Sequence, residues 1–535
     1  MAADNGNANS FLIGSVKSEE VVCILKRPQA PSTYDIFSLK EVSDEQGTSF
    51  ILSQTPTAEA PAQVFDGLVI DSLPAHLHSS PSQYVHVVVS ALSGTGLAQK
   101  FYESVLTPLF AAFGLSASEA SSPATLPNSY NLVLTQTATS IRDFARGLGE
   151  RIRNGGVAAA QQQQHTVVLL SGDGGVVEML NGKAPVDESS NKSSSSSRNE
   201  TSLPLIALLP LGTGNALFHS LHKTVEPVPP GSPAPSALVQ ALRTLLLAGR
   251  AAPLPSFRVT FPPGSRTITY GGPGSTAPAP AVERKELGEK DRVVEEEGNL
   301  EEHSDAVTHL HGAIVASYGF HAQLVWESDT PAYRRHGAAR FGMVAQELLR
   351  EAHAYRADVE LVVVPASSSS SSTTTTTAGV GLGKDNKGTE KIIIPRDRHA
   401  YLLATLVSHL ERTFCISPAS RPLDGRLRLV HFGPASGDRT MDIMRAAYDG
   451  GRHVGMKWGG GDGEGEEEEK GEVGYDEVEE LRITVREEDP RWRKMCIDGT
   501  IVEVPAGATV TVQREGGAHL RVLVDRGVVA GGDLE

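Results

Sequence analysis

Residues 169–182 read LLSGDGGVVEMLNG: an apolar run, three glycines set around one carboxylate, then a resumed helical pattern containing Glu178. A turn that only reverses the chain can use many residue types. Glycine lacks a Cβ, so three glycines beside an acid mark a place where backbone comes close to something. Taken alone, the segment reads equally well as a strand-to-helix turn with a capping Asp173. A second loop, LPLGTGNALFHSL at 209–221, shifts the balance. It sets Gly212, Thr213 and Gly214 between a strand and a helix, with Asn215 at the expected N-cap. Backbone N–H groups at such a turn suit phosphate. Two glycine loops on adjacent strands, one of them acidic, point to a nucleotide site.

Working outward, the chain from about 84 to 250 alternates strand and helix. YVHVVVS (84–90) is followed by LAQKFYESVLTPLFAAFGL (97–115), where Phe101, Val105, Leu109 and Phe113 recur at helical spacing. NLVLTQ, HTVVLL and PLIALLP are further strands, each followed by a helical segment. The series predicts a mainly parallel sheet covered by helices, with SALSGTG, LTQTAT, SGDGG and LGTGN gathered at the strand C-terminal ends. Beyond 251, strands dominate from SFRVTF to HLRVLV, with one clear helix at about 337–354. The expected organisation is an N-terminal extension over 1–82, partly strand-like, an α/β nucleotide domain over 83–250 and an all-β sandwich domain over 251–535.

Five stretches have the composition of inserted linkers: Ser-rich 186–203, Pro-rich 226–236, the segment 271–305, the Ser/Thr-led segment 366–390 and the Gly/Glu run 459–474. Two of them explain the net charge of −16. Residues 281–305 carry ten acids and four bases, residues 461–480 carry eleven acids and one base, and the other 43 acids and 43 bases cancel. The acidity is therefore expected to belong to linkers, and no nucleic-acid partner is implied. Three scattered cysteines, Cys23, Cys415 and Cys496, form neither a disulfide framework nor a zinc motif. The seventeen histidines show no metal-ligand spacing, and no residue is assigned to a metal. With neither a signal sequence nor an apolar run of about 18 residues, the chain reads as soluble.

SGDGGVVEMLNG and LPLGTGNA resemble the paired signatures of the diacylglycerol-kinase-type catalytic domain. The Ser of SGDG and the Asn-Ala of GTGNA lean toward its sphingosine kinase branch. SYGFHAQLVWESDTPAYRRHGAARFG (317–342) and MCIDGT (495–500) are similar to two later blocks of that branch, in the same order, so the resemblance spans roughly 83–525. It implies phosphorylation of a lipid hydroxyl with ATP and Mg2+ as cofactors, by a cytoplasmic protein that meets its substrate at a membrane surface through peripheral association. Carried across by motif, Asp173 is the acid that takes the hydroxyl proton. Ser90, Gly94, Thr95, Gly96, Thr135, Ser171, Gly172, Gly174, Glu178, Gly212, Thr213 and Gly214 belong to the nucleotide site. Arg334 and Arg340 neutralise phosphate charge, and Asp498, Gly499 and Thr500 complete the metal-phosphate side.

The lipid headgroup falls to Gln323, Val325 and Asp329. The branch has acids just after its GF-x-A motif, where this chain has Gln323 and Val325. The first loop begins Ser90-Ala91 instead of Asn-Pro, Gly175 replaces a larger residue and Thr500 replaces Glu. The expected acceptor is a sphingoid long-chain base. The alternatives are diacylglycerol or ceramide, and a lipid- or nucleotide-binding pseudokinase. An NAD kinase shares the Gly-Asp-Gly loop, but the GTGNA loop and the 317–342 block argue against it.

Overall fold

The computed structural model describes residues 12–13, 16–28, 33–44, 47–59, 67–91, 96–118, 128–137, 139–154, 163–182, 202–222, 234–271, 301–337, 339–363, 380–384, 390–459 and 471–530. Gly94, Thr95 and most of the expected insertions lie outside them.

The alternating segment forms a seven-stranded sheet. Its central strands Gln83–Val89, Gln164–Ser171 and Leu205–Pro210 run parallel, and Ser129–Leu134 adds to the Gln83–Val89 edge in the same sense. Val85, Val87, Val88, Val89, Val167, Val168 and Leu170 are fully buried. Such unbroken apolar runs suit a sheet covered on both faces, where no position of the strand points to water. The expected helix at 97–115 forms over residues 98–112 with a π-turn at Tyr102–Leu106. The expected helix spacing is realised in burial, with Phe101, Val105 and Leu109 in the core.

The N-terminal residues are more than an appendage. Tyr34–Asp44 and Gly47–Thr57 form a long hairpin, extended by Val21–Lys26 and Val69–Ile70 into a four-stranded sheet. Its Val22, Leu25, Phe37, Leu39 and Phe50 share one apolar cluster with Phe101, Leu109, Leu242 and Leu246. Phe50 meets Phe101 edge to face at 5.0 Å, and each such buried ring contributes about 1.5–3 kcal/mol through the surface it removes from water. Arg243 donates to the Val21 and Ser18 carbonyls, fixing the sheet to the α/β unit.

After residue 253 the chain builds two antiparallel eight-stranded sheets. One contains Phe257–Thr260, His309–Gly312, Tyr355–Val363, Glu390–Ile393, Glu480–Val485 and Thr509–Arg514; the other contains Arg266–Gly271, Val315–Gly319, Tyr401–Thr405, Arg428–Phe432, Lys494–Ile497 and Thr500–Glu503. One apolar cluster draws Val259, Val359, Leu361, Ile483 and Val512 from the first and Ala316, Tyr318, Leu402, Leu429 and Val502 from the second. Tyr355, Ala357, Val359 and Leu361 alternate with exposed residues, as a strand with one wet face requires.

Four expectations are corrected. The unit boundary is not a single cut near 250, because Arg521–Asp525 returns to the first sheet, parallel to Leu205–Pro210 and antiparallel to Gly249–Pro253. Val522 and Val524 of that strand are buried there, so the chain end serves the α/β core. The insertions are narrower than their composition suggested: Glu301–Ala306, Val380–Lys384, Gly471–Glu472 and Gly474–Glu477 are strands. Acidic residues 472, 476 and 477 therefore belong to folded sheet. Finally, helices also form at Phe320–Ser328 and Gly437–Tyr448, where strand-like neighbours masked them. Cys23, Cys415 and Cys496 are all buried and none forms a disulfide. Among the described residues no helix is long and apolar enough to cross a membrane.

Candidate active site

The parallel strands end in register. Val89 pairs with both Leu134 and Leu170, and Ser171 with Pro210, so four strand-end segments leave the sheet side by side. Backbone bonds continue across the exits: Ser90 N to Leu170 O, Thr135 N to Val89 O, and Leu211 N to Ser171 O. The Thr135 hydroxyl accepts the Ala91 N–H at 2.9 Å and ties the first exit to the second. Ser90, Thr135 and Ser171 are buried. Gly96 is exposed with φ +69°, a conformation that suits glycine.

What the glycines approach is first of all each other. A Cβ on Gly212 would lie 2.3 Å from the Gly172 Cα, and one on Gly172 would lie 2.8 Å from the Gly212 Cα. Neither neighbour is a flexible side-chain tip, so the two loops pack backbone to backbone only because both positions are glycine. Gly175 has a similar cause: its Cβ would meet the Ser171 Oγ at 2.6 Å. Ser171 thus fills the space that a larger residue at 175 would need. Gly174 has nothing within 4 Å of a built Cβ, and Thr213 is exposed, so this side of the loop pair is open.

The expected cap of the second loop is corrected. Asn215 adopts a left-handed backbone (φ 51°), and its side chain does not cap the helix Ala216–Leu221. Instead its Oδ1 accepts the Gly212 N–H and its Nδ2 donates to the Gly212 carbonyl, holding the loop's shape. The cap comes from the other loop. Asp173 accepts the Ala216 N–H at 2.7 Å and the Leu217 N–H at 3.1 Å, so the acid of the first loop sits at the helix start of the second. Burial raises its pKa, and these two donors pull it partly back.

Asp498 approaches from the β-rich part. It occupies the two-residue turn between Lys494–Ile497 and Thr500–Glu503, with positive φ at Asp498 and Gly499 as a type I′ hairpin requires. Thr500 opens the return strand. The Asp498 carboxylate also accepts the N–H groups of Ala313, Ile314 and Val315. Its pKa is pushed up to about 7, by burial first and further by the Asp173 charge, against the pull of the three donors. Asp498 is thus a hairpin turn residue whose carboxylate also feels the Asp173 charge. That electrostatic coupling brings together two acids 325 positions apart in sequence. Sequence reasoning missed the segment at Leu410, whose carbonyl would lie 3.5 Å from a Cβ on Gly214. Ser220 holds that segment through His409.

Other expected site residues are engaged elsewhere. Glu178 pairs with Arg142 at 2.8 Å, facing the helix Ser140–Asn154. Arg334 makes two bonds to Asp329 and one to the Tyr270 carbonyl, and Arg340 lies 4.0 Å from Asp329. Arg334 and Asp329 thus satisfy one another while the Arg340 Nε has no hydrogen-bond partner, and no contact among the described residues directs either arginine at the glycine loops. Gln323 is buried and donates to Glu327 at 2.6 Å, while its Oε1 has no partner. Glu327 is in turn held by Arg491 at 3.0 Å. Val325 packs against the apolar cluster of Ile268, Ala322, Cys496 and Ile501, which makes it a packing residue.

Residues 85–245 match the family model described as diacylglycerol kinase catalytic domain, so the match ends before the two antiparallel sheets. No curated protein matches the chain. Two solved structures from Bacillus anthracis str. Sterne described as diacylglycerol kinases, the first by provisional assignment, are similar to it. One is 12% identical over 83% of this chain and 96% of the other, with TM-score 0.41. The second is 10% identical over 84% and 100%, with TM-score 0.38. At such scores the fold is read from the chain's own sheets.

Proposed function

We propose that this chain is a lipid kinase that transfers the γ-phosphoryl group of ATP to a lipid hydroxyl, releasing ADP and a proton. The observation that carries the reading is the packed glycine-loop pair with the Asp173 carboxylate between the loops. Within the family match, this arrangement has an acid for the hydroxyl proton and an open, glycine-lined side for phosphates. Asp173, raised by burial, is the proton acceptor. Gly174, Thr213 and Gly214 are the phosphate-facing positions. The Asp173 charge raises the Asp498 pKa further, which fits a divalent cation that these two carboxylates would hold. Magnesium bound there would neutralise phosphate charge. The two antiparallel sheets are read as a sandwich that presents the lipid, with the protein meeting it peripherally at a cytoplasmic membrane face.

The acceptor favoured by the headgroup region is uncharged, of the acylglycerol or ceramide kind. Asp329 is committed to Arg334 and Glu327 to Arg491, so a cationic amine finds no spare carboxylate in this set, whereas the unpartnered Gln323 Oε1 can accept a hydrogen bond from a hydroxyl. A sphingoid base is the second reading, supported by the 317–342 block. The test supplies γ-labelled ATP and magnesium to the purified full chain with diacylglycerol, ceramide, sphingosine or NAD. Label should enter a lipid, and a neutral one in preference to sphingosine. Label in no lipid rejects the kinase reading, and a strong sphingosine preference selects the second acceptor.

A further inference from the structure

We propose that His311, Glu515 and His519 form a transition-metal site, suited to Zn(II), at the junction of the two large units. The three are far from a motif in sequence, yet their ligand atoms all lie within 4.8 Å of one another, and each residue is partly buried. The His311 Nδ1 is 3.1 Å from one Glu515 oxygen and the His519 Nε2 is 3.0 Å from the other. Tetrahedral zinc with bonds of about 2.0–2.2 Å places neighbouring ligand atoms a little over 3 Å apart, so the two close pairs are already near that spacing and the widest pair must draw in from at most 4.8 Å. Two imidazoles and a carboxylate form a donor set that zinc and its neighbours accept, leaving a fourth position for water. A neutral His311 would bind through Nδ1 by moving its proton to Nε2.

The surroundings hold these ligands in place. The Ser256 hydroxyl donates to Glu515 at 2.7 Å. Asn181 grips the His311 backbone at both its N–H and its carbonyl. The His311 and His519 rings meet at 69° with centroids 4.5 Å apart. Outer partners of this kind orient metal ligands in known sites.

The location gives the ion a task. Glu515 and His519 lie in the link between Thr509–Arg514 of an antiparallel sheet and Arg521–Asp525 of the parallel sheet. His311 precedes the Ala313–Val315 backbone that holds Asp498, and Asn181 ends the helix that Asp173 begins. An ion here would fasten the crossing point between the segments that carry the two site acids. This site is separate from phosphoryl transfer and does not depend on that reading.

The test uses the full chain, freed of metal by chelator and titrated with Zn(II) alone against a chromophoric indicator. One equivalent should bind and raise the melting temperature, and Co(II) should give the visible spectrum of a site with nitrogen ligands. His311→Ala, His519→Ala and Glu515→Gln should each weaken binding about 100-fold or more, while His303→Ala, on the exposed strand Glu301–Ala306, should not. Glu515→Gln preserves shape and covers the case in which an alanine variant does not fold. Absence of stoichiometric zinc in the parent, or binding unchanged in all three ligand variants, overturns the proposal. In that event the trio is a hydrogen-bonded clamp only.

Discussion

The glycine-loop pair and the helix Phe320–Ser328 stand at opposite extremes of how a site is specified. At the loops, specificity lies in what is missing: two backbones touch because neither Gly172 nor Gly212 carries a Cβ, and Asp173 spans the gap. On the helix, specificity lies in side chains engaged by partners, the Gln323 amide nitrogen by Glu327 and Glu327 by Arg491, with the Gln323 Oε1 left over. Backbone packing has little slack, so the first region is expected to fail sharply on substitution. A network of paired side chains can exchange partners, so the second is expected to shift preference and keep turnover.

The largest expected effect is at Asp173. Asp173→Asn should lower lipid phosphorylation about a hundredfold to ten-thousandfold by removing the proton acceptor. It should also cost about 0.5–2 kcal/mol in stability, since an amide nitrogen cannot accept one of the two helix N–H groups. Single-turnover rates and urea unfolding measure the two losses separately, and near-normal turnover would falsify the assignment of Asp173.

Next comes Gly212→Ala, whose Cβ would force two backbones apart at a cost of about 1–3 kcal/mol or more. Gly174→Ala is its counterpart, with open space around the new methyl. It should melt like the parent and raise the KM for ATP. Equal melting temperatures for Gly212→Ala and the parent would show that the loops are not in contact.

The smallest effect is expected at Arg491. Arg491→Ala releases Glu327, whose side chain is 12% exposed, and should raise the kcat/KM for sphingosine relative to diacylglycerol. A charge-assisted bond of about 1.5–3 kcal/mol sets the upper limit, reduced here because Arg491 is itself 41% exposed. An unchanged ratio would mean that Glu327 does not face the headgroup.

Much of the α/β unit was legible in the sequence because its signals are local. Apolar runs such as HTVVLL can be buried on both faces only in a covered sheet, and glycine triplets at their ends mark the loops whatever the loops touch. The acid at 173 was visible for the same reason. Tertiary structure alone decided its partners. The Ala216 N–H lies 43 residues away, and the charge of Asp173 reaches Asp498 on a hairpin of another sheet. The return of Arg521–Asp525 to the first sheet was equally hidden, since a strand with valines at 522 and 524 fits the edge of any sheet. Arg334 shows the same limit from the other side. A motif can place an arginine near a site, but whether its charge serves a phosphate or the Asp329 five residues earlier depends on side-chain packing that only the folded chain defines.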